Sequence, residues 1–158
     1  MTRIEKRFAQ LKAENRKAFI PYVTAGDPSL EATRSIILAL EKAGADVIEI
    51  GVPFSDPIAD GPVIQRATER ALLNHVRLRD VLELGRAIRK QSQVPLLLFS
   101  YVNPLLRYGL EKLAADAAAS GFDGILASYL TVEESAPFVE AVRAADRKST
   151  RLNSSHER

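Results

Sequence analysis

V-I-E-I-G-V-P-F-S-D-P-I-A-D-G-P, from Val47 to Pro62, is the stretch on which the reading of the chain turns. Val47, Ile48 and Ile50 form a short apolar run closed by Gly51, the pattern of a buried strand. Glu49 interrupts it, and a buried carboxylate is costly unless it is protonated or paired. The loop that follows is stiffened by Pro53, Pro57 and Pro62 and carries Asp56 and Asp60. Acids on a strand and on the loop after it are what a parallel α/β sheet displays at a reaction site.

Working outward, Ile4, Phe8 and Leu11 fall at i, i+4 and i+7 and predict a short amphipathic helix, suited to plugging one end of a barrel. Ala18 to Val23 reads as a first strand. A helix capped by Asp27 or Ser29 follows, with Leu30, Ile37 and Leu40 as its buried stripe and Gly44 as its stop. Pro62 opens another helix, at a position where its missing N–H is harmless. Leu78, Val81, Leu84 and Ile88 mark the next. Val94 to Phe99 is a nearly unbroken apolar strand, as one covered on both faces would be. Leu110, Leu113 and Ala117 predict a helix ended by Gly121, and Gly124 to Ala127 a fourth strand. Thr131 and Glu134 fit a capping box for a last helix through Phe138, Val139 and Val142.

The order is therefore one helix, then about four strand–helix units, which implies an α/β protein with a parallel sheet. Periodicity alone leaves two architectures open: a doubly wound open sheet, or part of a (β/α)8 barrel. Thr24-Ala25-Gly26-Asp27-Pro28 is not the glycine fingerprint that a dinucleotide-binding sheet carries after its first strand, but other doubly wound sheets do without one.

Composition bounds the function. The chain has 158 residues, 46% of them hydrophobic, and no cysteine. Disulfides and thiolate metal sites are thereby excluded. No apolar run reaches the roughly 18 residues of a membrane helix. The opening M-T-R-I-E-K-R-F has no apolar segment of a secretory signal, which reads as a cytoplasmic protein. His75 and His156 are too far apart in sequence to suggest a metal site. The net charge of +2 comes from the last thirteen residues, which hold four basic and two acidic side chains. The remaining body is neutral and shows no electrostatic footprint for nucleic acid. That tail, 146–158, has no helical or strand period and resembles a translated adapter read-through. It is set apart from a structured unit over 1–145, and the gene is expected to continue.

The central stretch also carries a resemblance. Gly51 to Pro62, preceded by Glu49, is similar to the segment that marks the tryptophan synthase alpha chain family. Pro21-Tyr22-Val23-Thr24-Ala25-Gly26-Asp27-Pro28, Ala43-Gly44-Ala45-Asp46, Phe8-Ala9, Tyr101-x-Asn103 and Val132-Glu133-Glu134-Ser135 fit as well. The resemblance runs from about Arg3 to about Ala145. It implies a (β/α)8 TIM barrel, typically about 250 residues long, of which only the first half is present here.

The resemblance further implies a lyase that splits indole-3-glycerol phosphate into indole and glyceraldehyde 3-phosphate in tryptophan biosynthesis. No metal or organic cofactor is expected in this chain. By resemblance Glu49 and Asp60 are the catalytic acids. Tyr22, Thr24, Phe99, Leu126 and Ser128 match substrate-binding positions, Tyr22 standing where the family is expected to have Phe. Thr24 is expected to hydrogen-bond Asp60. Pro53, Asp56, Pro57 and Asn103 match contacts to the partner, a tryptophan synthase beta chain that carries pyridoxal phosphate in an alpha2–beta2 tetramer. Tyr129-Leu130-Thr131 departs from the family's usual Asp, Leu or Val, then Pro.

Each residue also has a plainer reading. Glu49 could be a structural acid paired with Lys or Arg, Asp60 a helix-start residue, Asp56 a turn residue, and the apolar site residues simple core. Four strand–helix units leave open sheet edges and barrel phosphate sites usually lie after strands seven and eight, so this chain alone is expected to be marginally folded and inactive. Two rivals stand beside the lyase. One is a different phosphosugar barrel, though an aldolase would want a lysine at a strand end and none lies in the four expected strands. The other is a non-catalytic half-barrel that binds a beta-type partner.

Overall fold

The computed structural model describes residues 1–145 and 147–152, the last five by their backbone only. Helix α1 (Arg3–Ala13) leads into β1 (Tyr22–Thr24), α2 (Leu30–Lys42) and β2 (Ile48–Gly51). Then come α3 (Pro62–Leu73), α4 (Leu78–Arg89), β3 (Leu96–Tyr101), α5 (Val102–Tyr108) and α6 (Leu110–Ala119). The chain closes with β4 (Gly124–Ser128), α7 (Ala136–Ala144) and β5 (Lys148–Leu152).

All strands are parallel, in the order β1-β2-β3-β4-β5. This decides between the two architectures. A doubly wound sheet reverses its strand order at a switch point. Here the order never reverses, and right-handed crossovers in one direction put the crossover helices on the same face. The sheet is an arc of a barrel wall.

Side chains alternate across a strand, so the register sorts them into two faces. Ile48, Ile50, Leu96, Leu98, Ile125 and Ala127 face the helices and are buried. Against them pack Ile37, Val81, Leu82, Ile88, Leu113 and Phe122, which form one core. The other face runs in rows: Tyr22, Glu49, Leu97 and Gly124; then Thr24, Gly51, Phe99 and Leu126; then Tyr101 and Ser128. Such layers are how a barrel interior is filled. Glu49, Leu97 and Phe99 in these rows are only partly buried.

The structure refines the predicted elements. β1 is shorter than Ala18–Val23. β3 runs two residues past Phe99, and α5 replaces the expected loop at Ser100–Asn103. Ser29 caps α2, its hydroxyl accepting the Ala32 N–H. Thr131 and Glu134 do make their reciprocal contacts, but these close a turn, and α7 starts later, after Ser135. A fifth strand joins the four anticipated. Its segment has no strand period of its own, but the open edge of β4 offers a row of unpaired N–H and C=O groups to pair with. Asp146 and residues 153–158 of the segment set apart by sequence lie outside the described residues.

α1 lies under the sheet as expected, yet its seam is more ionic than apolar. Leu11 is buried but Phe8 is 44% exposed. Arg7 Nε donates to Asp46 (2.8 Å), just before β2. Arg3 Nη1 reaches Asp123 (3.1 Å), just before β4.

Candidate active site

The residues singled out from sequence converge on the open face. Glu49 is half-buried there, with Tyr22 beside it in register on β1. Among the described residues nothing donates a hydrogen bond to its carboxylate, and no cation lies within ion-pair distance. Burial therefore pushes its pKa up, with nothing opposing. Among the described residues Glu49 is therefore not a paired structural acid.

Asp60 ends the loop between β2 and α3. It is not the helix cap: that position is Gly61, and no side chain caps α3. The loop is held by its own backbone, Asp60 N–H donating to Pro57 O (3.1 Å) and Gln65 Nε2 to Asp60 O (2.7 Å). Burial raises the Asp60 carboxyl too, while the Tyr101 hydroxyl facing it works in the opposite direction. The two acids thus differ: one has no donor, the other has a phenol that favours its charged form.

Tyr22 links them. A Cβ placed on Gly51 would sit 1.9 Å from the Tyr22 hydroxyl, so the ring reaches over Gly51 because that residue has no side chain. Burial raises the Tyr22 phenol, the Thr24 hydroxyl beside it opposes this, and Asp60 and Glu49 both raise it further. Thr24 makes no hydrogen bond to Asp60 among the described residues; its neighbour is Tyr22. Phe99 meets the Tyr22 ring edge-on, with centroids 5.5 Å apart at 82°. Leu126 and Ser128 are buried on β4, and the Ser128 hydroxyl donates to Ser100 O (3.4 Å). Together these side chains make an apolar wall beside two acids.

The expected partner contacts sit at the same end. Asp56 and Asn103 are exposed, Pro57 is intermediate, and Pro53 is buried. Sequence reasoning gave Tyr101 no role. Its hydroxyl accepts the Ala59 N–H (2.9 Å), and its ring stacks with Tyr129 and meets Phe54 at a tilt. The motif Tyr101-x-Asn103 was visible, but nothing in its spacing points to a loop 42 residues earlier. Among the described residues no three His, Asp or Glu side chains converge as a metal site requires. No described helix is long and apolar enough to cross a membrane.

Comparison with known proteins bears on this geometry. The sequence profile described as tryptophan synthase alpha chain matches residues 8–156. The tryptophan synthase alpha chain of Solibacter usitatus is 59% identical over 142 residues, covering 90% of this chain and 53% of that protein. That of Geobacter sulfurreducens is 51% identical over 138 residues, covering 87% and 52%. Among solved structures, the tryptophan synthase alpha subunit of Legionella pneumophila superposes with a TM-score of 0.92 at 43% identity, over 94% of this chain and 57% of that one. A chain of the Pyrococcus furiosus tryptophan synthase complex gives 0.82 at 43%, over 85% and 55%. The chain spans about half the length of the curated relatives it matches.

Proposed function

The chain belongs to the tryptophan synthase alpha chain family, and on that premise we propose that it carries the acid–base half of the site that cleaves indole-3-glycerol phosphate to indole and glyceraldehyde 3-phosphate. The observation that supports this reading is the pair Glu49 and Asp60. Both line one face, both are raised by burial, and neither has a cation within ion-pair distance among the described residues.

The reaction needs a proton delivered to indole C3, stabilisation of the positive charge that then develops on the indole nitrogen, and removal of the glycerol C3′ hydroxyl proton. The C3–C3′ bond breaks as the aldehyde forms, and no net proton is consumed. Glu49, raised and without a donor, suits the role that holds and releases a proton. It serves C3 first and the hydroxyl afterwards. Asp60, with the Tyr101 hydroxyl favouring its carboxylate, suits acceptance of the indole N–H and stabilisation of the cation. Tyr22, Phe99, Leu126 and Ser128 supply the wall for the flat indole ring, and Thr24 supports Tyr22. The phosphate grip of a barrel usually lies after strands seven and eight, and the strands described here number five.

The partner in this reading is a beta chain bearing pyridoxal phosphate, in an alpha2–beta2 assembly that works in the cytoplasm. Pro53, Asp56 and Pro57 on the loop after β2, with Asn103 on α5, are the proposed contacts. The Pyrococcus structure is that of a tryptophan synthase complex, which supports an assembled state for that relative.

Indole release is the test, from this chain and from a chimaera joining it to the remaining half of the Solibacter relative. Glu49→Gln in the chimaera should lower the rate about a hundred- to ten-thousand-fold, the worth of one acid–base group, with the circular dichroism spectrum unchanged. A Glu49→Gln rate near that of the unsubstituted chimaera would contradict the assignment. An inactive unsubstituted chimaera that still binds a beta chain would favour the non-catalytic reading.

A further inference from the structure

β4 is followed at once by Tyr129, whose φ of +61° lies in the left-handed region. A bulky residue rarely adopts it. The ring is 41% exposed, so core burial does not account for the conformation. Such strain persists where the surroundings determine it and clusters at functional sites. What Tyr129 meets is Tyr101: the ring centroids are 5.9 Å apart and the planes 29° from parallel. Phe54 lies against the same Tyr101 ring at 5.3 Å and 38°. The three rings come from the segment after β2, the end of β3 and the exit of β4, so they tie three neighbouring strand ends together.

At the centre, the Tyr101 hydroxyl accepts the Ala59 N–H (2.9 Å) and faces the carboxylate of Asp60, the next residue. A phenol has one proton to give and two lone pairs, so accepting the Ala59 N–H leaves its proton available to the carboxylate. Burial, the largest influence, pushes Tyr101 up to about 12, which keeps that proton in place at neutral pH. Of the other titratable groups, Tyr129 bears on the Tyr101 hydroxyl, while Tyr22 on β1 feels the charges of both Asp60 and Glu49.

We propose that Tyr129 is a positioning residue for Asp60, acting through Tyr101: stacking fixes the Tyr101 ring, and the Tyr101 hydroxyl then holds the Ala59–Asp60 segment in its working place. This is the point where the chain departs from the family's usual Asp. The inference rests on the lyase reading only for what Asp60 does there, since the placement itself is independent of turnover.

The experiment is NMR on the isotope-labelled 158-residue chain, following Ala59 amide exchange and the Asp60 carboxyl titration. Tyr129→Phe should leave both at their unsubstituted values, because the stack needs only the ring. Tyr129→Ala should speed Ala59 exchange about five- to tenfold, the worth of one hydrogen bond, and move the Asp60 titration upward. Tyr101→Phe should do the same or more, since it removes the hydroxyl outright. Exchange at Ile125 N–H, inside β4, should stay unchanged in all three. Unprotected Ala59 in the unsubstituted chain, or no change on Tyr129→Ala, would overturn the proposal. So would an equal loss of protection at Ile125, which would make Tyr129 a merely structural residue. A chimaera with no lyase activity but with these shifts intact would refute the lyase reading and leave the positioning standing.

Discussion

The acids beneath the sheet and the acids on its open face are the same chemical group put to opposite uses. At the strand entrances Asp46 and Asp123 are almost wholly buried, and both are saturated with donors. Asp46 takes the Phe19 N–H (2.7 Å) and Arg7, with Arg16 nearby. Burial pushes it upward, but these donors outweigh that and hold it below the usual carboxylate range. Asp123 takes Arg3, Arg89 and the Leu96 N–H. On the open face Glu49 and Asp60 are less buried, yet burial raises both above their ordinary values, with no cation among the described residues to answer it. Pairing, more than depth of burial, separates the acids that hold the fold from those that could move a proton.

Removing a paired acid should have the largest effect. Asp123→Ala leaves Arg89, whose side chain is 11% exposed, charged and without its carboxylate. A loss of about 3–5 kcal/mol is expected on breaking a buried pair from one side, read by denaturant unfolding. Next comes the perch of Tyr22. Gly51→Ala forces a methyl to within 1.9 Å of the Tyr22 hydroxyl and should cost about 1–3 kcal/mol, as overpacking does. Adding Tyr22→Phe should recover part of that loss, so a double-mutant cycle gives the coupling directly.

The smallest effect carries the most informative sign. A raised carboxyl favours folding only in its protonated form, so the contribution of Glu49 is present below the usual carboxylate range and is lost as pH rises through its folded pKa. Glu49→Gln should therefore stabilise the chain at pH 7, by less than about 1 kcal/mol given solvent screening, and give no gain in acid. For Asp46 the sign reverses. Its contribution is present at neutral pH and is lost as pH falls through its lowered folded pKa, so Asp46→Asn should destabilise at pH 7.

Much of this was legible in the sequence because the signals are local. Glu49 stands out as a charge inside an apolar strand. Tyr22, Thr24, Phe99, Leu126 and Ser128 came from the family resemblance, and the strand register puts them on one face. The choice between architectures was not legible in periodicity, because strand order is a property of the assembled sheet, and only the family resemblance pointed to the barrel that the parallel order bears out. Nor was the cap of α7, since Thr131 and Glu134 obey the capping pattern yet close an earlier turn. Tyr101 and Tyr129 were missed for a related reason. Their roles pass through a hydroxyl and a ring stack between segments far apart in the chain, which periodicity does not register.

The most direct test of the contrast is a carboxyl-carbon NMR titration of Glu49, Asp60 and Asp46 in the same chain. Glu49 and Asp60 should titrate above their usual values and Asp46 below its own. A Glu49 that titrates at or below the ordinary glutamate value would show that something neutralises it, and the proposed acid–base pair would fall.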